Sequence, residues 1–185
     1  MGRTIYYTAT TLDGFLATED DSLQWLFDVP AEEGSNSKRF EDFMAGVGGI
    51  IMGSSTYLWI LDHEKVLENP EKWQDWYAGK DCVVMTTRDL PAVPGVRFAQ
   101  GDVRPVHASL AESGKDVWAA GGGELVGQLT DAGLVDELWI SVAPVTLGAG
   151  KPLLPRVLTS KDLSLTAVEH DGQFVHLTYA VTRGT

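Results

Sequence analysis

Apolar and polar residues alternate along the first part of the chain in blocks that predict strands and helices in turn. Residues 4–12 are rich in β-branched and aromatic side chains and predict a strand. Apolar residues recur at spacings of three and four across residues 37–47, which predicts an amphipathic helix. Apolar runs at 48–52 and 81–87 predict buried strands, and 106–113 predicts a short helix. This alternation is typical of an α/β domain with a mostly parallel sheet.

In the last third of the chain, the final predicted elements are all strands. Residues 116–129 read as a strand, a glycine turn and a helix, and residues 135–143 alternate as a strand does. Two further strands are predicted at 163–170 and 174–182, joined by Asp171-Gly172, a dipeptide that favours hairpin turns. Since no linker or repeat interrupts the chain, we expect one domain over residues 1–185 with a C-terminal antiparallel hairpin.

Composition and charge narrow the classes of function. A chain of 185 residues with 44% hydrophobic and 22% charged residues suits one soluble globular domain. The formal net charge of −12 argues against a nucleic-acid or anionic-membrane surface, because such surfaces need lysine and arginine. We see no signal peptide and no apolar stretch long enough to span a bilayer, so we expect a cytoplasmic protein without a membrane partner.

Cysteine and histidine usage gives no sign of a metal. Cys82 is the single cysteine and lies in an apolar run, so we expect a buried, inert thiol and no disulfide. The four histidines share no metal-ligand spacing. We therefore predict no metal site.

The chain carries two junctions at which a predicted strand ends in glycine and a helix follows. One contains Gly121-Gly122-Gly123, and the other contains Gly53-Ser54. Backbone N–H groups at such a junction, with the helix N-terminus, bind anions, and glycine allows a diphosphate to approach closely. A tight turn without a ligand is the alternative, and the spacing is not that of the G-x-G-x-x-G fingerprint. Two junctions in one domain favour a dinucleotide site.

Five segments spread in order over nearly the whole chain carry a resemblance to one superfamily. They are residues 11–17, 51–57, 84–88, 120–125 and 136–153. In these segments the chain resembles the dihydrofolate reductase-like superfamily. Within that superfamily it is most similar to the reductase domain of the bifunctional riboflavin-biosynthesis deaminase-reductase and to its stand-alone relatives. The resemblance implies an α/β, three-layer fold with a central mixed sheet of about eight strands and flanking helices.

The resemblance also implies a reductase that takes hydride from NADPH. It places the cofactor diphosphate at the two glycine junctions, the nicotinamide beside Ala9 and Leu16, and the adenosine ribose with its 2′-phosphate beside residues 86–88. The family often has arginine where this chain has Ser54, so NADH is also possible, with Arg88 as the substitute for the missing charge. The residues implied for the cofactor are Ala9, Leu16, Gly53, Ser54, Ser55, Thr56, Thr86, Thr87, Arg88, Ala120, Gly121, Gly122, Gly123, Glu124 and Leu125.

Reduction of a heterocycle usually requires a proton donor as well. In dihydrofolate reductases, a carboxylate that follows a tryptophan in an early loop has this role. Here Trp25 is followed by Asp28 and Glu32, and we take both carboxylates as catalytic candidates. Two solvated loop carboxylates are the alternative.

Three residues are candidates for the substrate side of the site. Trp25 lies in an acidic loop that we expect to pack over another part of the chain. Lys151 is the one cation of a Gly/Pro-rich loop and suits an anionic group, although a surface lysine is the alternative. Asp13 belongs to an Asp-Gly dipeptide, for which a turn-forming role is the alternative.

Several functions remain open at this point. The first is an NADPH-dependent reductase of a pyrimidine- or pterin-like compound, for which the nearest named activity is reduction of 5-amino-6-(5-phosphoribosylamino)uracil. A dihydrofolate-type reductase is the second, and a non-catalytic nucleotide-binding module is the third. Residues 138–151 resemble the segment that pairs subunits in riboflavin-type reductases. We therefore expect a homodimer that binds a small-molecule substrate and no nucleic acid.

Overall fold

A computed structural model describes residues 2–30 and 35–182 and shows an eight-stranded sheet with helices beside it. The strands are β1 (Thr4–Thr11), β2 (Phe15–Ala17), β3 (Val47–Gly53), β4 (Asp81–Met85), β5 (Val96–Ala99), β6 (Asp116–Gly121), β7 (Glu137–Ala143), β8 (Lys151–Pro152), β9 (Leu163–Asp171) and β10 (Phe174–Val181). The helices are α1 (Gln24–Phe27), α2 (Ser35–Gly46), α3 (Ser54–His63), α4 (Glu71–Tyr77), α5 (Val103–Ala111) and α6 (Gly123–Asp131).

The main sheet has the strand order β5-β4-β3-β6-β1-β7-β10-β9, and β2 pairs with β8 in a small second sheet. The six strands from β5 to β7 are parallel, whereas β10 is antiparallel to both β7 and β9. The predicted α/β fold, with a mostly parallel mixed sheet of eight strands and a C-terminal hairpin, is confirmed. Because β6 returns to lie between β3 and β1, the carboxyl ends of these strands meet at the edge where open α/β sheets bind ligands.

Apolar cores lie on the two faces of the sheet. One contains Phe43, Tyr57 and Trp73, which α2, α3 and α4 contribute. The other contains Leu110 from α5 and Leu129 from α6. Each such side chain stabilises the fold by roughly 1.5–3 kcal/mol through removal from water. Together, the cores fix the strand ends that carry the site.

The single thiol lies in the first of these cores. Cys82 is fully buried, as expected, and burial raises its pKa to about 12. A thiol with so high a pKa stays protonated at neutral pH, and the thiolate is the reactive form. Cys82 is therefore a packing residue.

The helix predicted at 106–113 begins three residues earlier, at Val103. The Asp102 side chain accepts a hydrogen bond from the Arg104 backbone N–H at 3.0 Å and so caps the helix. Pro105 lies in the first turn, where a backbone N–H has no partner within the helix. Pro105 is thus compatible with the start of the helix, three residues before the predicted bound.

None of the helices described between residues 2 and 182 combines the length and apolar character of a membrane span. In the same part of the chain, no three side chains of His, Cys, Asp or Glu are grouped so as to hold a metal ion.

Asp13 ties the turn after β1 to the loop after β7. Its carboxylate accepts hydrogen bonds from the backbone N–H groups of Leu147 at 3.0 Å and Gly148 at 2.7 Å, and from the Thr11 hydroxyl at 2.6 Å. The Thr11 hydrogen bond, helped by the backbone N–H groups, lowers the pKa of Asp13 below its ordinary value of 3.8. The ionised side chain is therefore the form that the fold favours.

We expect Asp13→Asn to lower the thermal midpoint at neutral pH, because the carboxylate hydrogen bonds are lost. The pKa of Asp13 is lower in the folded protein than in the unfolded chain, where it is about 3.9. The carboxylate therefore stabilises the fold fully at pH values above the unfolded pKa, and this stabilisation is lost as the pH falls through the folded pKa. The difference in midpoint between wild type and variant, followed by circular dichroism, should be constant from about pH 7 to 5 and shrink below about pH 4. A difference that persists undiminished at lower pH would contradict this role.

Candidate active site

A cavity of about 640 Å³ opens at the carboxyl edge of the parallel strands, a size typical of ligand sites. Its walls come from the ends of β1, β3, β4 and β6, from β2 and α1, and from the segment that begins at β8. Many of the predicted site residues meet here. They are Ala9, Leu16, Trp25, Gly53, Ser54, Ser55, Thr56, Ala120, Gly121, Gly122, Gly123, Glu124, Leu125 and Lys151.

Three predicted cofactor residues lie just beyond the cavity wall. Thr86, Thr87 and Arg88 directly follow Met85, which lines the cavity at the end of β4. The Thr86 hydroxyl accepts a hydrogen bond from the Arg88 backbone N–H at 2.9 Å and shapes the turn. Arg88 is exposed. Its guanidinium is therefore accessible to a ligand group that reaches past Met85.

Among the described residues, neither the predicted catalytic residue Asp28 nor Asp13 lines the cavity. Asp28 is exposed, and its carboxylate accepts a hydrogen bond from the Gln24 side-chain amide at 2.8 Å. Glu32 lies outside the described residues. Asp13 hydrogen-bonds to the loop after β7, which agrees with a turn-forming role rather than a role in the substrate site.

The two glycine junctions meet at one wall of the cavity. Gly53 is the N-cap of α3 and Gly122 is the N-cap of α6, and neither helix has a side-chain cap. A Cβ placed on Gly53 would lie 3.6 Å from the Gly121 oxygen and the Gly122 nitrogen, so the junctions are in contact. The Gly121–Gly122 peptide bond is cis. Two positive helix ends with uncapped N–H groups thus face one space, an arrangement that attracts a diphosphate.

Close backbone packing holds the segment after β7 against this wall. A Cβ on Gly123 would lie 2.4 Å from the Pro152 oxygen, and one on Gly150 would lie 2.2 Å from the Ala17 oxygen. No real Cβ fits at such distances, so only glycine allows the chain to pass between β2 and the start of α6. This packing places Lys151 at the cavity.

One guanidinium pairs with two carboxylates of α6. The Arg156 guanidinium donates to both oxygens of Glu124, at 2.8 and 3.1 Å, and to Asp131 at 2.8 Å. The hydrogen bond from Arg156 lowers the pKa of Glu124, which is therefore ionised and paired. Arg156 lies across Gly127, where any Cβ would be 2.6 Å from the guanidinium carbon. Arg156 thus offsets part of the negative charge that Glu124 brings to the glycine motif.

A second charged pair lies at the cavity. Lys151 Nζ is 3.9 Å from the Asp21 carboxylate, and both residues line the space. Both side chains are about half exposed, so the pair is loosely held. Lys151 can therefore turn to an anionic ligand, as its predicted substrate role requires.

Trp59 is an aromatic residue of the cavity wall that was not predicted from the sequence. It stacks on His63 with ring centroids 4.4 Å apart and on Phe27 of α1 at 5.9 Å. Trp59 lies three residues after Thr56, a helical spacing that places both on the same face of α3. That spacing was the available signal. The stack ties α1 to α3 at the cavity.

The comparison with known proteins identifies the family. The profile of the RibD C-terminal domain family matches residues 4–177, and the chain belongs to this family. An uncharacterised protein of Bacillus subtilis strain 168, YwjB, is 36% identical over 179 residues, which cover 96% of this chain and 97% of YwjB.

Solved structures agree with this assignment. A putative riboflavin biosynthesis protein from Shewanella sp. PV-4 is 26% identical, with a TM-score of 0.77 over 98% of this chain and 99% of that one. Dihydrofolate reductase from Enterococcus faecalis, solved with NADP(H), is 14% identical, with a TM-score of 0.62 over 97% of this chain and 96% of that one. The dihydrofolate reductase-like fold is therefore confirmed, and the family supports a reductase-type role.

Gly122→Asp should stabilise the protein. The N-cap backbone is extended, and a Cβ at this position would meet nothing within 4 Å, so the carboxylate can cap the free N–H groups of α6. We expect a gain of a few tenths of a kcal/mol from the cap and about 0.3–1 kcal/mol from the helix dipole. Urea denaturation measures this gain in the free energy of unfolding. Gly122→Ala, which lacks the acceptor, should show no such gain. A less stable Gly122→Asp protein would show that the N–H groups are not free.

Proposed function

We propose that the protein is an NADPH-dependent reductase of a small pyrimidine- or pterin-like heterocycle. The observation that carries this proposal is the contact between two uncapped helix N-termini at the wall of a cavity whose other end is apolar. The two helix N-termini suit a diphosphate, and the apolar end of the cavity suits the flat faces of a nicotinamide and its acceptor. Family membership supports the same activity.

In this proposal the cavity holds the nicotinamide and the diphosphate, and the turn beyond Met85 holds the adenosine end of the cofactor. In our proposal the diphosphate lies against Gly53 and Gly122, and at Gly122 there is open space in front of the backbone. The nicotinamide, which supplies the hydride, lies against Ala9 and Leu16. The adenosine extends past Met85, so that the exposed Arg88 meets the 2′-phosphate. This contact replaces the arginine missing at Ser54 and favours NADPH, with NADH as the weaker alternative.

The proton donor is not assigned by this proposal. Asp28 is engaged with Gln24 outside the cavity wall, so we give it no catalytic role. Glu32 stays a prediction. The dihydrofolate-type alternative requires a carboxylate at Asp28 or at Glu32, and the placement of Asp28 leaves Glu32 as its candidate. A binding module without turnover is disfavoured because the Trp25 loop lines the cavity and leaves its volume open. The cytoplasmic location also stays a prediction.

We expect saturable binding of NADPH to the purified protein, measured by quenching of tryptophan fluorescence. Gly122→Asp should weaken NADPH binding at least a hundredfold, because its carboxylate occupies the position of the diphosphate and repels that group. The fold itself should be unharmed by this substitution. Arg88→Ala should weaken NADPH binding about tenfold and leave NADH binding unchanged, since only NADPH carries the 2′-phosphate.

Ser160→Asp is the control, because it adds the same charge at an exposed position that does not line the cavity. An unchanged affinity in Gly122→Asp would contradict the placement of the diphosphate. If the wild-type protein bound neither nucleotide, the reductase proposal would fail.

We propose a homodimer that uses the outer face of the C-terminal hairpin together with the predicted segment 138–151. Strand β7 lies inside the sheet, so this segment can pair subunits through a sheet face and the loop after it. Val142 of β7 pairs with Val175 of β10, which is exposed on the same face of the sheet. The edge strand β9 exposes Val168 on that face and also carries Leu165. Leu165 and Val168 are 53% and 59% exposed, an apolar surface that a second copy of the chain would cover.

Light scattering at micromolar concentration should therefore give a dimeric mass for the wild type and a monomeric mass for Leu165→Asp. The substitution places a charge within the apolar contact, where it would be desolvated without a partner. Leu67→Asp is the matched control, because Leu67 is 55% exposed in the connection between α3 and α4. A monomeric wild type would remove the proposal.

A further inference from the structure

Among the described residues, Lys151 is the one cation that lines the cavity, and its backbone lies close to the start of α6. The next residue, Pro152, has its carbonyl oxygen 2.4 Å from the position of a Cβ on Gly123, the first residue of that helix. The Leu153 oxygen is 2.7 Å from the same position. The ammonium group is therefore carried by a segment that touches the helix start to which the diphosphate is assigned above.

The backbone of this segment is fixed, whereas the lysine side chain is not. The Leu153 N–H donates to the Gly14 oxygen at 2.9 Å, and the Leu153 oxygen accepts from the Tyr6 hydroxyl at 2.9 Å. Strand pairing places Lys151 beside Ala17. The lysine side chain is 47% exposed and has a flexible four-carbon stem. The ammonium group can therefore move between partners while its Cα stays in place.

The partner of Lys151 in this structure is Asp21, whose carboxylate is 3.9 Å from Nζ. Asp21 belongs to a tight turn that directly follows β2. Its N–H donates to the Thr18 oxygen at 3.1 Å, and the Ser22 N–H donates to the Thr18 hydroxyl at 3.0 Å. Asp21 has a φ of 65°, a left-handed conformation that aspartate tolerates better than most residues. The turn itself thus holds the carboxylate at the cavity, independently of Lys151.

A second carboxylate of the same turn also acts on the ammonium group. The Thr18 hydrogen bond lowers the pKa of Asp20 below its ordinary value of 3.8, and the charge of Lys151 adds to this lowering. Glu124, at the start of α6, is paired with Arg156 and does not require the lysine. The contacts that hold Lys151 are therefore exposed ones, which water and salt screen strongly.

A diphosphate at the start of α6 would compete with this turn for the lysine. Exposed ion pairs contribute little, whereas hydrogen bonds between an ammonium group and a phosphate oxygen in a cavity are among the stronger ones. The lysine contact with Asp21 must be broken before the contact with the diphosphate forms. Asp21 therefore weakens the binding of a diphosphate even though it does not touch that group.

We propose that Lys151 exchanges partners when the cofactor binds, leaving Asp21 for the diphosphate at the start of α6, and that Asp21 thereby sets the affinity for the cofactor. The inference deepens the proposed reductase function and rests on it for the identity of the ligand. Lys151, predicted from the sequence to bind the substrate, is in this proposal a cofactor-binding residue. Asp21 is the residue that positions it in the free protein.

The test is calorimetric titration of the purified protein, without substrate, with NADPH, NADH and ADP-ribose. All three carry the diphosphate, so Lys151→Gln should weaken the binding of each about tenfold. Asp21→Asn keeps the shape of the side chain and its tolerance of the left-handed backbone, and it should strengthen the binding of each about twofold to fivefold. In the double variant the gain from Asp21→Asn should vanish, because no lysine is left to be released.

Lys38→Gln and Asp42→Asn are the matched controls, because this exposed pair on α2 is 3.4 Å apart and does not line the cavity. Both should leave the three affinities unchanged, and thermal midpoints verify the folding of every variant. The inference is overturned if Lys151→Gln binds the three ligands as the wild type does. It is also overturned if Asp21→Asn gives the same gain with and without Lys151, since Asp21 would then act by simple repulsion.

The three ligands separate this inference from the function on which it rests. A loss confined to NADPH would place Lys151 at the 2′-phosphate and contradict the exchange. Binding of ADP-ribose with the expected dependence on Lys151, but of neither NADPH nor NADH, would overturn the reductase function and leave the exchange intact. If none of the three ligands bound to the wild type, both proposals would fail.

Discussion

The site depends on the parallel pairing of β3 with β6 and on the glycines at which both strands end. Pairing brings Met52 beside Gly121, so the helices that follow start next to each other. A Cβ on Gly53 would lie in van der Waals contact with the Gly121–Gly122 peptide, so the two turns are close neighbours. The pairing of β3 with β6 therefore brings both helix starts to the wall of one cavity.

Polar groups around the site differ in how they are paired. At the cavity, Arg156 contacts both oxygens of Glu124, and away from it Arg97 contacts Asp81. The starts of α3 and α6, in contrast, have no side-chain caps. Among the described residues, three buried nitrogens have no hydrogen-bond partner, namely Trp25 Nε1, Arg39 Nε and His176 Nε2. An unpaired buried donor costs about 1–3 kcal/mol, so the fold carries these groups at a cost to its stability.

The sequence predicted the parts of the fold that depend on local pattern. Buried strands and glycine junctions were found because apolar runs and glycines mark them directly. The hairpin turn was misplaced by one residue: Asp171 pairs with Phe174, so the loop is Gly172-Gln173, and local preference for Asp-Gly did not reveal that register. The cavity wall at the glycine junctions was predictable for the same reason as the strands, whereas the pairing of His176 with Ser141 depends on strand order in three dimensions. No local pattern carries that information.

The segment that covers the cavity, which we call the cover, is separate from the eight-stranded sheet that carries the site, which we call the frame. Residues 15–27 contribute only β2, which pairs with the two-residue β8, and α1, which is tied to α3 by stacking of Phe27 on Trp59. None of these residues takes part in the eight-stranded sheet. Substitutions in the cover therefore leave the strand pairing of the frame intact. A gene encoding this architecture can change the lining of the cavity by substitutions confined to a short N-terminal stretch, while the sheet that carries the two glycine junctions is inherited unchanged.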